Sequence, residues 1–165
     1  MRPRNVGKFN HYYFSQINTS EKAYWLGFIM ADGAILDKVN KGALQLRINL
    51  AVKDAIHLSK FCQAIDSHNK ILYYSDSISL SYSSDILCQD LIKLGCVPRK
   101  SLVLKYPTQI PDYLNFDFIR GYFDGDGSAS VVGYRLFIDF LGTLDVLSVI
   151  KQKLNIINKN LVKIG

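Results

Sequence analysis

At 165 residues and 48% hydrophobic, the chain can bury a sizeable core in one domain or two small ones, and it is too apolar for a disordered tail. A net charge of +6 and a pI near 9.2 suit a polyanionic partner. No apolar run reaches the roughly 18 residues of a membrane span. Arg2, Arg4 and Lys8 are not followed by the apolar core of a signal peptide, so the reading is of a soluble, intracellular protein without a membrane partner. Cys62, Cys88 and Cys96 are odd in number and lack C-x-x-C spacing, which predicts reduced thiols in the core.

Taken in order, residues 1–17 mix basic and aromatic side chains and are expected to form an N-terminal arm packed on the core, with Tyr12, Tyr13 and Phe14 at least partly buried. Asn18-Thr19-Ser20-Glu21 reads as a capping box, with Asn18 as N-cap and Glu21 reaching back, and opens a helix over 19–32. A hairpin follows at 34–37 and 43–51. In its second strand Leu44, Leu46, Ile48 and Leu50 alternate with Gln45, Arg47 and Asn49. Amide and guanidinium groups are the ones that pair with base edges, although any solvated strand face can carry them. Residues 53–66 repeat Ile56, Phe61 and Ile65 at helical spacing, and His57 beside them is read as a surface or packing residue. A second hairpin at 71–74 and 77–83 precedes a helix capped by Ser83 or Ser84 and stopped at Gly95. The order so far is αββαββα. The basic loop 95–101 contains Arg99 and Lys100, and Pro107 and Pro111 bracket the approach to a helix at 113–125. A hairpin at 128–132 and 134–141 and a helix at 144–156 come next, and the terminal Leu-Val-Lys-Ile-Gly looks like the start of a strand.

One stretch occurs twice. Ala23–Gly33 (AYWLGFIMADG) and Phe118–Gly127 (FIRGYFDGDG) coincide when Gly33 is set on Gly127. Gly27 then falls on Gly121, Ala31 on Gly125 and Asp32 on Asp126. Small residues four apart share one helical face and let a second backbone come close. The two copies are therefore expected to pack through Gly27, Ala31, Gly121 and Gly125. Gly33 and Gly127 are expected as left-handed C-caps. Such packing sets Asp32 and Asp126 side by side at the negative ends of two helix dipoles. Two carboxylates held about 5 Å apart repel by roughly 3 kcal/mol at an effective dielectric near 20. A divalent cation held by the carboxylate oxygens would offset that cost.

These segments resemble the paired motifs of the LAGLIDADG homing endonucleases. The resemblance covers nearly all of the chain from Asn18 onward. It implies an α+β LAGLIDADG homing endonuclease fold, with αββαββα repeats in pseudo-two-fold tandem. Residues 1–17 would be the arm, 18–111 a complete first repeat and 112–165 an incomplete second repeat. The implied activity is site-specific, intron- or intein-associated cleavage of double-stranded DNA, with Mg²⁺ bound by Asp32 and Asp126. The basic loop after the third helix implies that Lys100 is the lysine reaching the catalytic centre. The family's strands form a saddle on DNA, which implies DNA contact by Gln45, Arg47 and Asn49, with Arg99 and Arg135 as further DNA-binding residues. The sixth motif position holds Asp124 in the second copy but Met30 in the first, so Asp124 is not expected as half of a symmetric catalytic pair.

Fewer than half as many residues follow Asp126 as separate the two motif acids. The second repeat is accordingly expected to lack a fourth strand, a closing helix and its own lysine, and to self-associate or take a partner through 134–165. The rival readings are a non-cleaving nucleic-acid-binding relic or an RNA maturase bound to intron RNA. His11, His57 and His68 are isolated, and no Ser-His-Asp or His-Asn-His arrangement supports another hydrolase class. Gly121, Gly125 and Gly127 lie in a helical run and do not form a dinucleotide loop.

Overall fold

A computed structural model describes residues 8–37 and 42–155. Helix α1 spans Ser20–Asp32 and runs directly into strand β1, Gly33–Leu36. Strand β2, Gln45–Ala51, is followed by a 3-10 turn and by helix α2, Ala55–Ala64. Strands β3, Leu72–Tyr73, and β4, Ser77–Ser83, lead to helix α3, Asp85–Lys93. The four strands form one antiparallel sheet in the order β1-β2-β4-β3. This is the expected αββαββα order.

The second motif opens the same way. Helix α4, Asn115–Asp126, runs into strand β5, Gly127–Val132, which pairs with strand β6, Arg135–Phe140, and helix α5 follows at Leu144–Asn155. Gly133 takes φ +62 at the two-residue turn between β5 and β6, a backbone shape that suits glycine. Among the described residues the second sheet has two strands. The terminal segment read as a further strand lies outside the described residues.

The alternation read along β2 and β4 decides what is buried. Leu46, Ile48, Ile78, Leu80 and Tyr82 join Leu58, Phe61, Leu87 and Leu91 in one core, while Arg47 and Asn49 stay exposed. Cys88 and Cys96 are buried in that core and all three cysteines are free, as expected. Burial pushes the Cys88 thiol up to about 11 and the Cys96 thiol up to about 12. Among the described residues no helix is long and apolar enough to cross a membrane.

Several local expectations are corrected. The N-cap of α1 is Thr19, whose hydroxyl accepts from Lys22 N at 3.2 Å, and not Asn18. Glu21 does not close a capping box, because its carboxylate accepts from the Tyr13 hydroxyl at 2.9 Å. In the arm Phe9, Tyr13, Phe14 and Ile17 are buried, but Tyr12 is 62% exposed. Ile56 is 74% exposed, and Leu58 takes the buried position on α2 beside Phe61. Gly33 and Gly127 are extended, with φ −78 and −95, and are not left-handed caps. They are glycine for lack of space, since a Cβ on Gly33 would lie 2.7 Å from Ile29 O, and one on Gly127 would collide with the Phe123 ring.

Candidate active site

The two motif helices meet where the small residues predict. A Cβ on Gly27 would run into the carbonyl of Phe118 and lie 2.8 Å from Tyr122 N. One on Gly121 would strike the carbonyl of Tyr24, and one on Gly125 would strike the Ala31 methyl. Backbone touches backbone here, so a larger residue has no flexible neighbour to displace. Aromatic rings flank the seam: Trp25 and Phe28 on one side, Phe118 and Tyr122 on the other.

That close approach brings the helix ends together. A Cβ on Gly125 would sit 3.5 Å from Asp32 Oδ2, one residue before Asp126. Asp32 is half-buried, and its carboxyl is pushed up to about 6 by burial first and by the Asp126 charge second; Lys100 opposes the rise and Asp54 adds to it. Asp126 is also raised, by burial, with Lys100 again opposing. Lys100 donates its ammonium to Ala31 O at 2.6 Å. The sequence thus brings together Asp32, Asp126 and Lys100, and its four interface residues form the seam.

The other predicted site residues lie on the strands and loops. Arg47 donates to Gln45 Oε1 at 2.8 Å, and Gln45 donates to Ser83 Oγ at 3.2 Å across the β2–β4 pair. Gln45, Arg47 and Asn49 face away from the core opposite Ser83, Ser81 and Ser79. Arg99 is in a left-handed conformation at φ +57 and lies 3.9 Å from Asp37, the residue that follows β1. Arg135 is exposed at the tip of the second hairpin.

A cluster that the sequence reading missed lies across the same helix seam. The Tyr24 hydroxyl donates to Asp124 Oδ2 at 2.6 Å and sits 3.3 Å from His57 Nε2, and the Arg120 guanidinium lies over the Tyr24 ring. Burial lowers the His57 pKa, against the raising effect of Asp124. His57 packs against Trp25 and Phe28, so its reading as a packing residue stands. The only signal for this cluster is the mismatch of Asp124 with Met30, since Tyr24 and Asp124 are far apart in the chain.

Among the described residues no group of three or more His, Cys, Asp or Glu side chains could hold a metal. Two hard carboxylates do fit a magnesium ion, which keeps several waters and is held by one or two carboxylates together with substrate phosphate oxygens. Burial first and the Asp126 charge second hold the Asp32 carboxyl high, and a cation between the two acids would offset both.

Two helices ending in paired acids beside an antiparallel sheet are what carry the chain's resemblance to the LAGLIDADG homing endonucleases. No family model matches the chain, and no curated protein sequence matches it. Solved structures similar to it include the LAGLIDADG meganuclease I-AabMI bound to uncleaved DNA, at 15% identity and a TM-score of 0.49, covering 90% of this chain and 75% of that one. The I-SmaMI LAGLIDADG homing endonuclease bound to cleaved DNA is similar at 12% identity and a TM-score of 0.47, with 70% and 60% covered. The I-LtrWI LAGLIDADG homing endonuclease bound to target DNA is similar at 12% identity and a TM-score of 0.45, with 73% and 65% covered. The chain spans about 60% of the length of the I-SmaMI chains that it matches.

Proposed function

We propose that the chain is a site-specific double-strand DNA endonuclease of the LAGLIDADG homing type, intron- or intein-associated and intracellular, with residues 18–111 as one repeat and 112–165 as the start of a second. The observation that carries this reading is the close pairing of Asp32 and Asp126 at the ends of α1 and α4, with Lys100 held beside them. Packed acids at two helix ends are costly for folding alone and suited to holding a cation.

In this reading Asp32 and Asp126 hold Mg²⁺. A bound divalent ion would make a nucleophile of water at neutral pH and neutralise charge on the attacked phosphate. Asp32 and Asp126 supply its protein oxygens, and the glycine seam fixes their separation. Lys100 places a positive charge where a phosphate gains negative charge in the transition state. Gln45, Arg47 and Asn49 lie along the major groove, with Arg99 and Arg135 near the backbone.

The test is cleavage of a plasmid library with randomised sites by the full chain. Linear product in Mg²⁺ and none in EDTA is expected. Retained sequence-selective binding without cleavage in either condition would favour the non-cleaving relic, and selective binding of group I intron RNA would favour a maturase. The uncovered apolar residues of the second sheet, Val131, Leu136 and Ile138, further support self-association or a partner at this edge. Sedimentation of the full chain over a range of concentrations checks this, and a monomer throughout would oppose self-association.

A further inference from the structure

The second sheet carries an acid where the first carries a guanidinium. Both hairpins begin on a motif glycine, so their rungs can be matched by counting. Gly33 opposes Ile48, and the next rung pairs Ala34 with Arg47. Gly127 opposes Phe140, and the next rung pairs Ser128 with Asp139. Two rungs beyond Arg47 and Asp139, and on the same face as those two residues, Leu36 opposes Gln45 in the first hairpin and Ser130 opposes Phe137 in the second.

The faces are fixed independently. Ile48 is fully buried, so Arg47 points away from the helices. The Phe140 ring lies 5.2 Å from that of Phe123 on α4, which puts the Gly127–Phe140 rung on the helix side. Alternation then turns Asp139, Phe137 and Arg135 to the opposite face, the face that Arg47 occupies in the first sheet. Asp139 is exposed and Phe137 is 45% exposed. A carboxylate in the middle of a surface meant for DNA weakens phosphate-driven binding. It is useful there when it accepts a hydrogen bond from a base.

We infer that Asp139 is a specificity-determining residue, the counterpart of Arg47 under the pseudo-two-fold relation, and that it accepts a hydrogen bond from the amino group of a cytosine in the major groove. This rests on the DNA-endonuclease reading and specifies its substrate. Arginine at both positions would read guanine on opposite strands, giving a palindromic pair of base pairs. With Asp139 at one of them, the second base pair is inverted, so one target strand carries guanine at both positions. Phe137 follows the same rule, offering an apolar surface to a thymine methyl where Gln45 would take adenine.

The experiment is selection of randomised duplex DNA by the full chain, repeated with Asp139→Arg and Asp139→Asn. Wild type should prefer cytosine at one contacted position by on the order of tenfold. Asp139→Arg should invert that base pair to guanine, Asp139→Asn should move it to adenine, and the guanine read by Arg47 should be unchanged in both. Asp139 is exposed on a strand, so neither variant disturbs the core. Enrichment of a wild-type target whose base preferences are the same in both variants, with affinity merely raised across all sequences, overturns this inference and leaves the DNA-binding reading intact. Enrichment of no sequence by wild type overturns both.

Discussion

Lys100 Nζ is hydrogen-bonded to the carbonyl oxygen of Ala31, the residue immediately before Asp32. Its cation therefore sits on the carbonyl end of α1, where it complements the helix dipole and lowers the pKa of both motif acids. Its sequence neighbour Arg99 turns to Asp37 instead, so only one of the two adjacent cations in this loop serves the helix ends. Lys100→Ala should lower single-turnover cleavage by about 100-fold, as loss of one charge-stabilising group does, while changing DNA affinity only slightly. Single-turnover rates at saturating enzyme would check this, and an unchanged rate would remove Lys100 from the catalytic centre.

Asp32→Asn and Asp126→Asn should each abolish nicking, by at least about 100-fold, while DNA binding persists or strengthens. In the proposed reading each substitution removes a metal ligand together with a negative charge that would face the phosphates. Gel-shift and cleavage assays on the same samples separate the two effects. Cleavage surviving in Asp126→Asn would refute the assignment of that residue.

The acidity of Asp32 has a signature in stability. Its folded-state pKa of about 6 lies above the ordinary 3.8, so the folded chain binds more protons than the unfolded chain between these values. By linkage, this residue makes the fold less stable as pH rises from about 4 to 6, with no further change above that window. Asp32→Asn should therefore raise the melting temperature at pH 7 and have little effect near pH 4. The difference between wild-type and variant melting curves across that range is the measurement. A difference that does not vary with pH would show that Asp32 titrates normally.

Gly27→Leu and Gly121→Leu should each destabilise by about 3 kcal/mol or more, because the new side chain meets the backbone of the facing helix. Gly133→Ala has open space around it and should cost far less, limited by its positive φ. Chemical denaturation of the three variants checks the ranking. Equal stability of all three would mean that the motif helices do not touch at these glycines.

The sequence was most legible where periodicity and internal repetition coincided. Small residues at matched places in two copies located the helix seam, and strict alternation in β2 separated Leu46 and Ile48 from Arg47. Residues whose partners are distant in the chain were not legible. Asp124 gave no hint of Tyr24, and Glu21 looked like a capping residue because the Tyr13 hydroxyl that takes its carboxylate comes from the arm. Ile56 was misplaced because hydrophobic spacing alone allowed two phases of α2, and contact with the sheet chose the one that buries Leu58.

The motif helices pass into their strands without a loop, since Asp32 is followed at once by β1 and Asp126 by β5. The acid and the phase of the strand are thus set by one rigid origin. A single residue inserted directly after Gly33 or Gly127 would exchange the inner and outer faces of β1 or β5 and break its register with β2 or β6, the strands that carry Arg47 and Asp139. If the chain reads DNA as proposed, its target preference can drift by substitution along β2 or β6, or by lengthening the distal turns. Changes of length next to the acids are closed to it. The proposed chemical centre would then act as the fixed zero of a ruler, with diversification confined to the marks further along.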